Sequence, residues 1–180
     1  MFSEFLKRKM TLGFYRMDLS RDGYLDAEDF RLLSERIAEI SGVEPGTEAF
    51  DRIVTAYNMA WQMYFSHADA DGDGRVNCAE FLASTVQIVS VENFEEMGLA
   101  QNQRMFDAID LDQDGSIQVN EFGAFLGAAG VHRDNIQIAF DKLDADGDGV
   151  VSEQEFSAAL HAYFTSEDVN HVGNWFFGPF

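Results

Sequence analysis

One twelve-residue stretch, residues 144–155, constrains this chain more than any other. Oxygen-bearing side chains stand at its positions 1, 3, 5, 9 and 12, which are Asp144, Asp146, Asp148, Ser152 and Glu155. Gly149 at position 6 can adopt positive φ, so the backbone can turn sharply after the third carboxylate. Val150 at position 7 offers its main-chain carbonyl, and Glu155 is long enough to clamp a cation with both oxygens. The spacing predicts a loop that holds one Ca²⁺ ion.

The same spacing occurs three more times along the chain. At positions 1, 3, 5, 7 and 12 the second loop has Asp69, Asp71, Asp73, Arg75 and Glu80, and the third loop has Asp110, Asp112, Asp114, Ser116 and Glu121. The corresponding residues of the first loop are Asp18, Ser20, Asp22, Tyr24 and Asp29. Position 7 contributes its main-chain carbonyl, whatever side chain it carries. A spacing that recurs in this way predicts a repeat architecture with three or four bound Ca²⁺ ions.

The first loop differs from the others in its ligand chemistry. Position 3 is the neutral Ser20, and position 12 is Asp29, one methylene shorter than the glutamate of the other loops. A shorter clamp tends to offer one oxygen rather than two, which favours the smaller six-coordinate cage that Mg²⁺ prefers. We therefore expect the first loop to be the weakest Ca²⁺ site or a mixed Ca²⁺/Mg²⁺ site.

Phenylalanines bracket every loop at fixed distances. We call these eight residues the phenylalanine frame: Phe14, Phe65, Phe106 and Phe140 lie four residues before position 1, and Phe30, Phe81, Phe122 and Phe156 follow position 12. The pattern predicts helix–loop–helix units with aromatic core positions, and the first exiting helix is expected to follow Asp29. Position 8 is always apolar, in Leu25, Val76, Ile117 and Val151, which suits a short extended contact between the loops of a pair.

The four units predict an all-α fold of two pairs with short loop–loop β contacts. The first two loops begin 51 residues apart and the last two begin 34 apart, so the first pair contains extra helix. We expect an N-terminal pair in residues 1–90 and a C-terminal pair in residues 91–164. Ser90 or Asn93 is expected to cap the helix that enters the third loop.

The remaining residues, 165–180, form an apolar tail. Its large apolar side chains are Trp175, Phe176, Phe177 and Phe180. Leaving them in water would cost several kcal/mol at about 25 cal/mol per Å² of apolar surface. We expect the tail to dock on the helical core and to fill the groove that paired helix–loop–helix units can present to a target helix.

The formal net charge of −20 argues against nucleic-acid binding. Only 12 Lys and Arg residues are present, so no nucleic-acid partner is expected. Fifteen of the 32 acidic residues occupy positions 1, 3, 5 and 12 of the loops, so bound metal should stabilise the fold. We see no signal peptide or membrane anchor, and the single cysteine, Cys78, has no partner for an internal disulfide. We expect a cytoplasmic monomer, and the sequence allows a protein partner without indicating one.

No catalytic motif accompanies the loops. The four histidines are scattered without zinc spacing, and no carboxylate pair stands apart from the loops as an acid–base candidate. A glycine-rich phosphate loop and a nucleophile elbow are also absent from the sequence. The sequence therefore predicts a protein that is not an enzyme.

On these motifs the chain is identified as a member of the EF-hand superfamily. Its length, widened first pair and aromatic C-terminal extension resemble those of the sarcoplasmic calcium-binding proteins and their bacterial relatives of the calerythrin type. This resemblance implies a compact, all-helical cytosolic calcium buffer. Members of that family often have one or two disabled loops, whereas all four loops here retain most of the ligand pattern, which leaves the stoichiometry open.

Two other functions fit the same fold. A calcium sensor would open grooves lined by flexible Met residues, and the seven Met residues here are spread mostly among aromatics. The resemblance also extends to coelenterazine-binding proteins and photoproteins, whose cavity is lined by His, Trp and Tyr. Trp61, His171 and Trp175 are the residues that would support such a ligand-binding function, although the four-residue spacing of His171 and Trp175 is also typical of packing.

Overall fold

The computed structural model describes residues 3–89 and 94–179. This part of the chain contains the helices α1 (Glu4–Met17), α2 (Ala27–Ser41), α3 (Glu48–Ala60), α4 (Cys78–Val89), α5 (Phe94–Ile109), α6 (Val119–Ala128), α7 (Arg133–Leu143) and α8 (Glu153–Thr165). Four short strands lie in the loops, β1 (Tyr24–Leu25), β2 (Val76–Asn77), β3 (Ser116–Ile117) and β4 (Val151–Ser152). Helix α3 runs on into a π-helical turn, Trp61–Phe65, and a 3₁₀ turn, Ser66–Ala68. The predicted all-α fold of paired hands is confirmed.

The two loops of each pair meet in a two-stranded antiparallel sheet. Strand β1 pairs with β2, and β3 pairs with β4. Leu25 lies opposite Val76, and Ile117 lies opposite Val151. All four of these position-8 side chains are fully buried. The predicted loop–loop contact is confirmed, and its apolar side chains belong to the core.

Each exiting helix begins inside its loop, directly after position 9. The Ser152 hydroxyl accepts a hydrogen bond from the Glu155 amide, and the Glu155 carboxylate accepts one from the Ser152 amide. This reciprocal arrangement is a capping box, and Asp26 and Asp29 form another at α2. The expectation that the first exiting helix follows Asp29 is wrong. Helix α2 begins at Ala27, since a capping box places position 12 at the third residue of the helix.

The phenylalanine frame packs crosswise between the two hands of each pair. A ring that precedes one loop contacts the ring that follows the other loop. The centroid distances are 5.7 Å for Phe14–Phe81, 4.8 Å for Phe30–Phe65, 5.7 Å for Phe106–Phe156 and 6.2 Å for Phe122–Phe140. Because each entering helix is joined to the exiting helix of its partner, neither hand of a pair completes a core alone.

A fully buried lysine joins the first helix to α8 and the tail. Lys9 Nζ donates to the side-chain oxygen of Asn174 at 2.9 Å and to the carbonyl of Ser166 at 3.0 Å. The Tyr163 hydroxyl donates to the Lys9 carbonyl at 2.8 Å. Burial lowers the pKa of Lys9 to about 8, and the oxygens around Nζ offset part of the cost of burying its charge. Nothing in the sequence pattern predicts this connection.

The tail turns back onto the C-terminal pair. After α8, a 3₁₀ helix, Val172–Trp175, leads to Phe176 and Phe177, which are 0% and 6% exposed. The Phe176 ring lies 5.1 Å from that of Phe156, and the Phe177 ring lies 4.9 Å from that of Tyr163. The tail therefore packs between helices of the last two hands.

The approach of the tail to α8 is close at one glycine. A β-carbon at Gly173 would lie 2.7 Å from Cβ of Ala162 and 2.8 Å from the carbonyl oxygen of Ala159. Such distances are far inside van der Waals contact, so a larger residue would force the tail away from the helix. Glycine at this position is a requirement of the packing.

Some expectations fall on other parts of the chain. The proposed caps Ser90 and Asn93, the boundary between residues 90 and 91, and Phe180 lie outside the described residues. Within the described ranges, no helix has both the length and the apolar character needed to cross a membrane.

Candidate metal centres

The carboxylate at position 1 organises each loop by binding the amide of the glycine at position 6. The distances from Oδ2 to this nitrogen are 3.0 Å for Asp18–Gly23, 2.9 Å for Asp69–Gly74, 3.0 Å for Asp110–Gly115 and 3.0 Å for Asp144–Gly149. Each of these glycines has a φ between 85° and 94°, a conformation that L side chains rarely adopt. The turn expected after the third ligand is present in all four loops.

The clamp residue at position 12 crosses each loop and binds main-chain amides on both sides. One oxygen of Glu155 accepts from Ala145 at 2.8 Å, and the other accepts from Ser152 at 2.9 Å. Glu80 and Glu121 make the matching contacts in the second and third loops. These hydrogen bonds hold each clamp over the loop, at the place where its oxygens can also reach a cation.

Three loops bring predicted ligands into close groups. In each group, one carboxylate oxygen from each residue lies within 4.8 Å of those from the other two. The groups are Asp69, Asp71 and Asp73 in the second loop, Asp110, Asp112 and Glu121 in the third, and Asp144, Asp146 and Glu155 in the fourth. Glu80, Asp114 and Asp148 lie outside these groups. All-oxygen, carboxylate-rich donor sets of this kind suit Ca²⁺ better than softer metals.

The third loop contains a direct sign of fit to a cation. Asp110 is 5% exposed, and its Oδ1 has no hydrogen-bond partner among the described residues. Leaving a buried carboxylate oxygen unpaired is costly, and a bound cation would remove that cost. The residues present therefore fit a Ca²⁺ ion in this loop.

Burial and hydrogen bonding act in opposite directions on the clamp carboxylates. Burial raises the pKa of Glu121, although three backbone amides donate to it. Burial also disfavours ionised Glu155, but hydrogen bonds from Ser152 and from two amides at the start of the loop lower its pKa overall. The Gly74 amide is the main cause of the lowered pKa of Asp69. A cation would favour the ionised form of every one of these groups.

The first loop lacks a comparable group. Among the residues that the structure describes, which include this whole loop, no three of its acidic side chains come within 4.8 Å of one another. Asp29 is 1% exposed, and its two oxygens accept from the amides of Ser20 at 2.9 Å and Asp26 at 3.0 Å. Burial raises the pKa of Asp29. The shorter clamp thus lies deep in the loop, bound to the backbone.

The position-7 residues share one main-chain contact and differ in their side chains. The amides of Tyr24, Arg75, Ser116 and Val150 donate to the position-5 carboxylate of their own loop at 2.9 to 3.0 Å. The Arg75 guanidinium also lies 4.0 Å from the centroid of the Tyr24 ring and 3.4 Å from Asp73 Oδ2. The spacing rules treat position 7 as a main-chain ligand, so they do not predict this side-chain contact.

A cavity of about 560 Å³ lies among residues of all four hands. Its walls are mainly apolar and include Met17, Phe65, Met105 and Phe177. The Tyr57 side chain also lines it, is 4% exposed, and has a hydroxyl without a hydrogen-bond partner in the described part of the chain. Burial raises the pKa of Tyr57, which keeps the phenol neutral.

The residues expected to support ligand binding do not line this cavity. Trp61 packs against Phe30, with ring centroids 5.7 Å apart, and Trp175 lies beneath the ammonium of Lys142. His171 accepts a hydrogen bond from the Gly173 amide at the start of the 3₁₀ helix. Their spacing reflects local packing, and no sequence signal identifies Tyr57 in their place.

Comparison with known proteins identifies related families. The profile for the EF-hand domain pair matches residues 58–125 and 99–161, and the profile for a single EF hand matches residues 13–34. A luciferin-binding protein of Renilla reniformis is 31% identical over 128 residues, which are 68% of this chain and 65% of that protein. The chain thus spans slightly less than two thirds of that relative.

A second relative and one solved structure are also similar to this chain. A sarcoplasmic calcium-binding protein of Perinereis vancaurica tetradentata is 27% identical over 73% of this chain and 74% of its own length, so the resemblance to that family is confirmed. The crystal structure of a coelenterazine-binding protein from Renilla muelleri, in its calcium-loaded apo form, superposes with a TM-score of 0.84 at 24% identity. It covers 99% of this chain and 100% of that one.

We expect Glu155→Gln to weaken Ca²⁺ binding at the fourth loop by at least about tenfold, because an amide oxygen replaces charged ones. The NMR shift of the Gly149 amide, which donates to Asp144, reports on this loop separately from the others. The matched control is Glu153→Gln, which removes the same charge from an exposed site two residues away. Equal Gly149 titration midpoints in the two variants would mean that Glu155 is not a ligand.

We expect Asp29→Glu to shift the first loop towards Ca²⁺, because a longer clamp can offer both oxygens to a larger ion. The measurement is a Ca²⁺ titration of the Gly23 amide signal with and without millimolar Mg²⁺. In the variant, Mg²⁺ should compete less well than in the natural protein. An unchanged Ca²⁺/Mg²⁺ preference at Gly23 would contradict the role given to the short clamp.

Proposed function

This chain belongs to the EF-hand family of calcium-binding proteins, and we propose that it acts as a Ca²⁺ buffer whose apolar groove stays closed when the ions bind. The observation that carries this proposal is the burial of the tail in the C-terminal pair. A buffer needs metal sites and a fold that changes little, whereas a sensor must expose an apolar surface to its target.

The tail occupies the region that a sensor would open. Phe176 is 0% exposed and lies 6.4 Å from Phe125 and 5.1 Å from Phe156, ring centre to ring centre. Phe125 is on α6 and Phe156 is on α8, so the tail ring fills the space between two exiting helices. A groove filled by the chain's own aromatic residues is closed to a partner helix.

Two hydrogen-bonded groups hold the tail in that position. Asn174 is 1% exposed, accepts from Lys9 Nζ and donates to the carbonyl of Asp168 at 2.8 Å. Arg16 donates to the carbonyl of Pro179. Because Lys9 and Arg16 are both on α1, release of the tail would break contacts to the first hand as well as to the last.

The proposal includes three or four Ca²⁺ ions per chain, with Mg²⁺ as a competitor in the first loop. The net charge of −20 supports it, because bound cations relieve repulsion among carboxylates and stabilise the folded state. We further propose that the protein works as a cytoplasmic monomer without catalysis. The free Cys78 is consistent with a reducing compartment. The similar sarcoplasmic protein is a calcium-binding protein, which supports a function without catalysis.

We expect the Ca²⁺-loaded protein to bind amphipathic helical peptides more weakly than about 10 µM, and Gly173→Ala to bind them at least about tenfold more tightly. The added methyl group cannot fit against Ala162, so the tail should move away from α8. The substitution deletes none of the aromatic residues of the tail. Calorimetric titration with a basic amphipathic peptide measures the affinity. Peptides are preferable to small dyes, since a dye can enter the cavity.

Val172→Ala is the control for this experiment, because Val172 is in the same 3₁₀ helix but is exposed. It should leave both peptide binding and thermal stability unchanged. The opposite result is that the natural protein binds the peptide tightly in a Ca²⁺-dependent way, with no change in Gly173→Ala. That result would contradict the buffer function and support a sensor.

A second function, carriage of a small apolar ligand, is favoured by the cavity. Its volume of about 560 Å³ lies within the range of roughly 300–1,000 Å³ common for ligand pockets. The neutral Tyr57 hydroxyl, buried and without a partner, would supply one oriented hydrogen bond. Luciferin-binding and coelenterazine-binding relatives make coelenterazine the natural probe.

We expect coelenterazine to bind this protein, and Tyr57→Phe to weaken binding by about 3- to 10-fold, the usual worth of one hydrogen bond. Tyr15→Phe is the matched control, since Tyr15 is 59% exposed and does not line the cavity. Ala56→Phe places a ring in the cavity and should abolish binding. Binding that survives Ala56→Phe would place the ligand elsewhere and rule out the cavity.

A further inference from the structure

Position 7 of the second loop carries a positive charge next to the acidic residues that would hold the ion. Arg75 Nη2 lies 3.4 Å from Oδ2 of Asp73, the position-5 carboxylate. Asp73 belongs to the group of three carboxylates within 4.8 Å of one another. A cation in this loop would therefore share Asp73 with the guanidinium.

The neighbouring loop holds that guanidinium in place. Strand pairing sets Tyr24 opposite Asn77, which brings the position-7 residues of the two loops together. The Arg75 guanidinium carbon then lies 4.0 Å from the centroid of the Tyr24 ring, a close cation–π contact. An aromatic face on one side and a carboxylate on the other restrict the arginine to the edge of the second loop.

The other loops offer an internal comparison. Ser116 and Val150 occupy position 7 in the third and fourth loops, and neither carries a charge. These two loops have the same number of position-1, 3, 5 and 12 carboxylates as the second loop. Over positions 1, 3, 5, 7 and 12, the side chain of Arg75 is thus the difference in charge between the second loop and the two C-terminal loops.

We propose that Arg75 is an internal counter-cation that competes with Ca²⁺ for the second loop, and that the Tyr24 ring holds it there. The proposal rests on the second loop being a Ca²⁺ site and is independent of the choice between buffer and carrier. Without metal, the guanidinium offsets repulsion among Asp69, Asp71 and Asp73. With metal, the two positive charges repel, so the second loop fills after the third and fourth.

The exposure of the two side chains limits the size of the effect. Arg75 and Asp73 are 42% and 39% exposed, so water and salt screen their interaction. For a screened pair at this distance we expect a change of about 3- to 10-fold in Ca²⁺ affinity. The same screening predicts that the effect shrinks as ionic strength rises.

The test replaces Arg75 with the residue of the third loop, in Arg75→Ser. Ca²⁺ titrations followed by the amide signals of Gly74, Gly115 and Gly149 read the three loops separately. The Gly74 midpoint should fall by about 3- to 10-fold in low salt and by less in 0.5 M KCl, while the other two midpoints stay unchanged. Without metal, the melting temperature of the variant should fall.

Three further variants make the result specific. Tyr24→Leu should shift the Gly74 midpoint in the same direction by less, and the Tyr24→Leu/Arg75→Ser double variant should match Arg75→Ser alone. Arg21→Gln removes one charge from the first loop and introduces the residue that the third loop has at that position, so it controls for net charge. Arg75→Lys keeps the positive charge, so its Gly74 midpoint should stay close to that of the natural protein. This variant also serves as the comparison if Arg75→Ser folds poorly.

Several outcomes would overturn the proposal. An unchanged or raised Gly74 midpoint in Arg75→Ser would show that Arg75 does not compete with Ca²⁺. An equal shift of the midpoints at all the glycines would show that the effect comes from net charge. A Gly74 signal that does not respond to Ca²⁺ in the natural protein removes the second loop as a site. Tight peptide binding would instead contradict the buffer and leave the role of Arg75 intact.

Discussion

Mutual repulsion among carboxylates is the constraint on which the rest of the structure depends. Each loop must hold three or four negative groups close enough for one cation, and Asp69, Asp71 and Asp73 lie within 4.8 Å of one another. Main-chain amides make this possible, because the position-6 glycine and the capping box direct N–H donors at the acidic oxygens. The clamp is the third residue of the exiting helix, so the position of a ligand and the start of a helix are fixed together. A cation held by the clamp would therefore act on helix geometry.

The phenylalanine frame passes this geometry from one hand to its partner. Since Phe14 contacts Phe81 and Phe30 contacts Phe65, a movement of one exiting helix disturbs the entering helix of the other hand. The β contact between the two loops, where Leu25 lies opposite Val76, also joins the two hands of the pair. A pair is consequently the smallest unit that can bury its aromatic residues, and the fold doubles this unit.

Patterns with a short period could be predicted from the sequence, and contacts between distant segments could not. The ligand spacing and the apolar position 8, whose side chains are buried where two loops pair as strands, follow from the pattern within each loop. The spacing rule places the start of α2 too late, because it ignores the capping role of position 9. Lys9 with Asn174, Arg75 with Tyr24, and the Tyr57 hydroxyl depend on the fold to bring them into contact or into a cavity. Trp61, His171 and Trp175 are residue types that suggest a ligand pocket, but each of them packs or hydrogen-bonds locally instead.

The docked tail and the cavity share a wall, which links the two proposed functions. Tyr163 and Phe177 line the cavity, and their rings also contact each other where the tail meets α8. Tyr163 is anchored by its hydrogen bond to the Lys9 carbonyl, and Lys9 in turn holds Asn174 of the tail. A molecule in the cavity would therefore press on the residues that keep the tail docked. If the cavity binds a ligand, tail docking and ligand binding would be coupled in free energy, and an occupant of the cavity would change how firmly the tail is held.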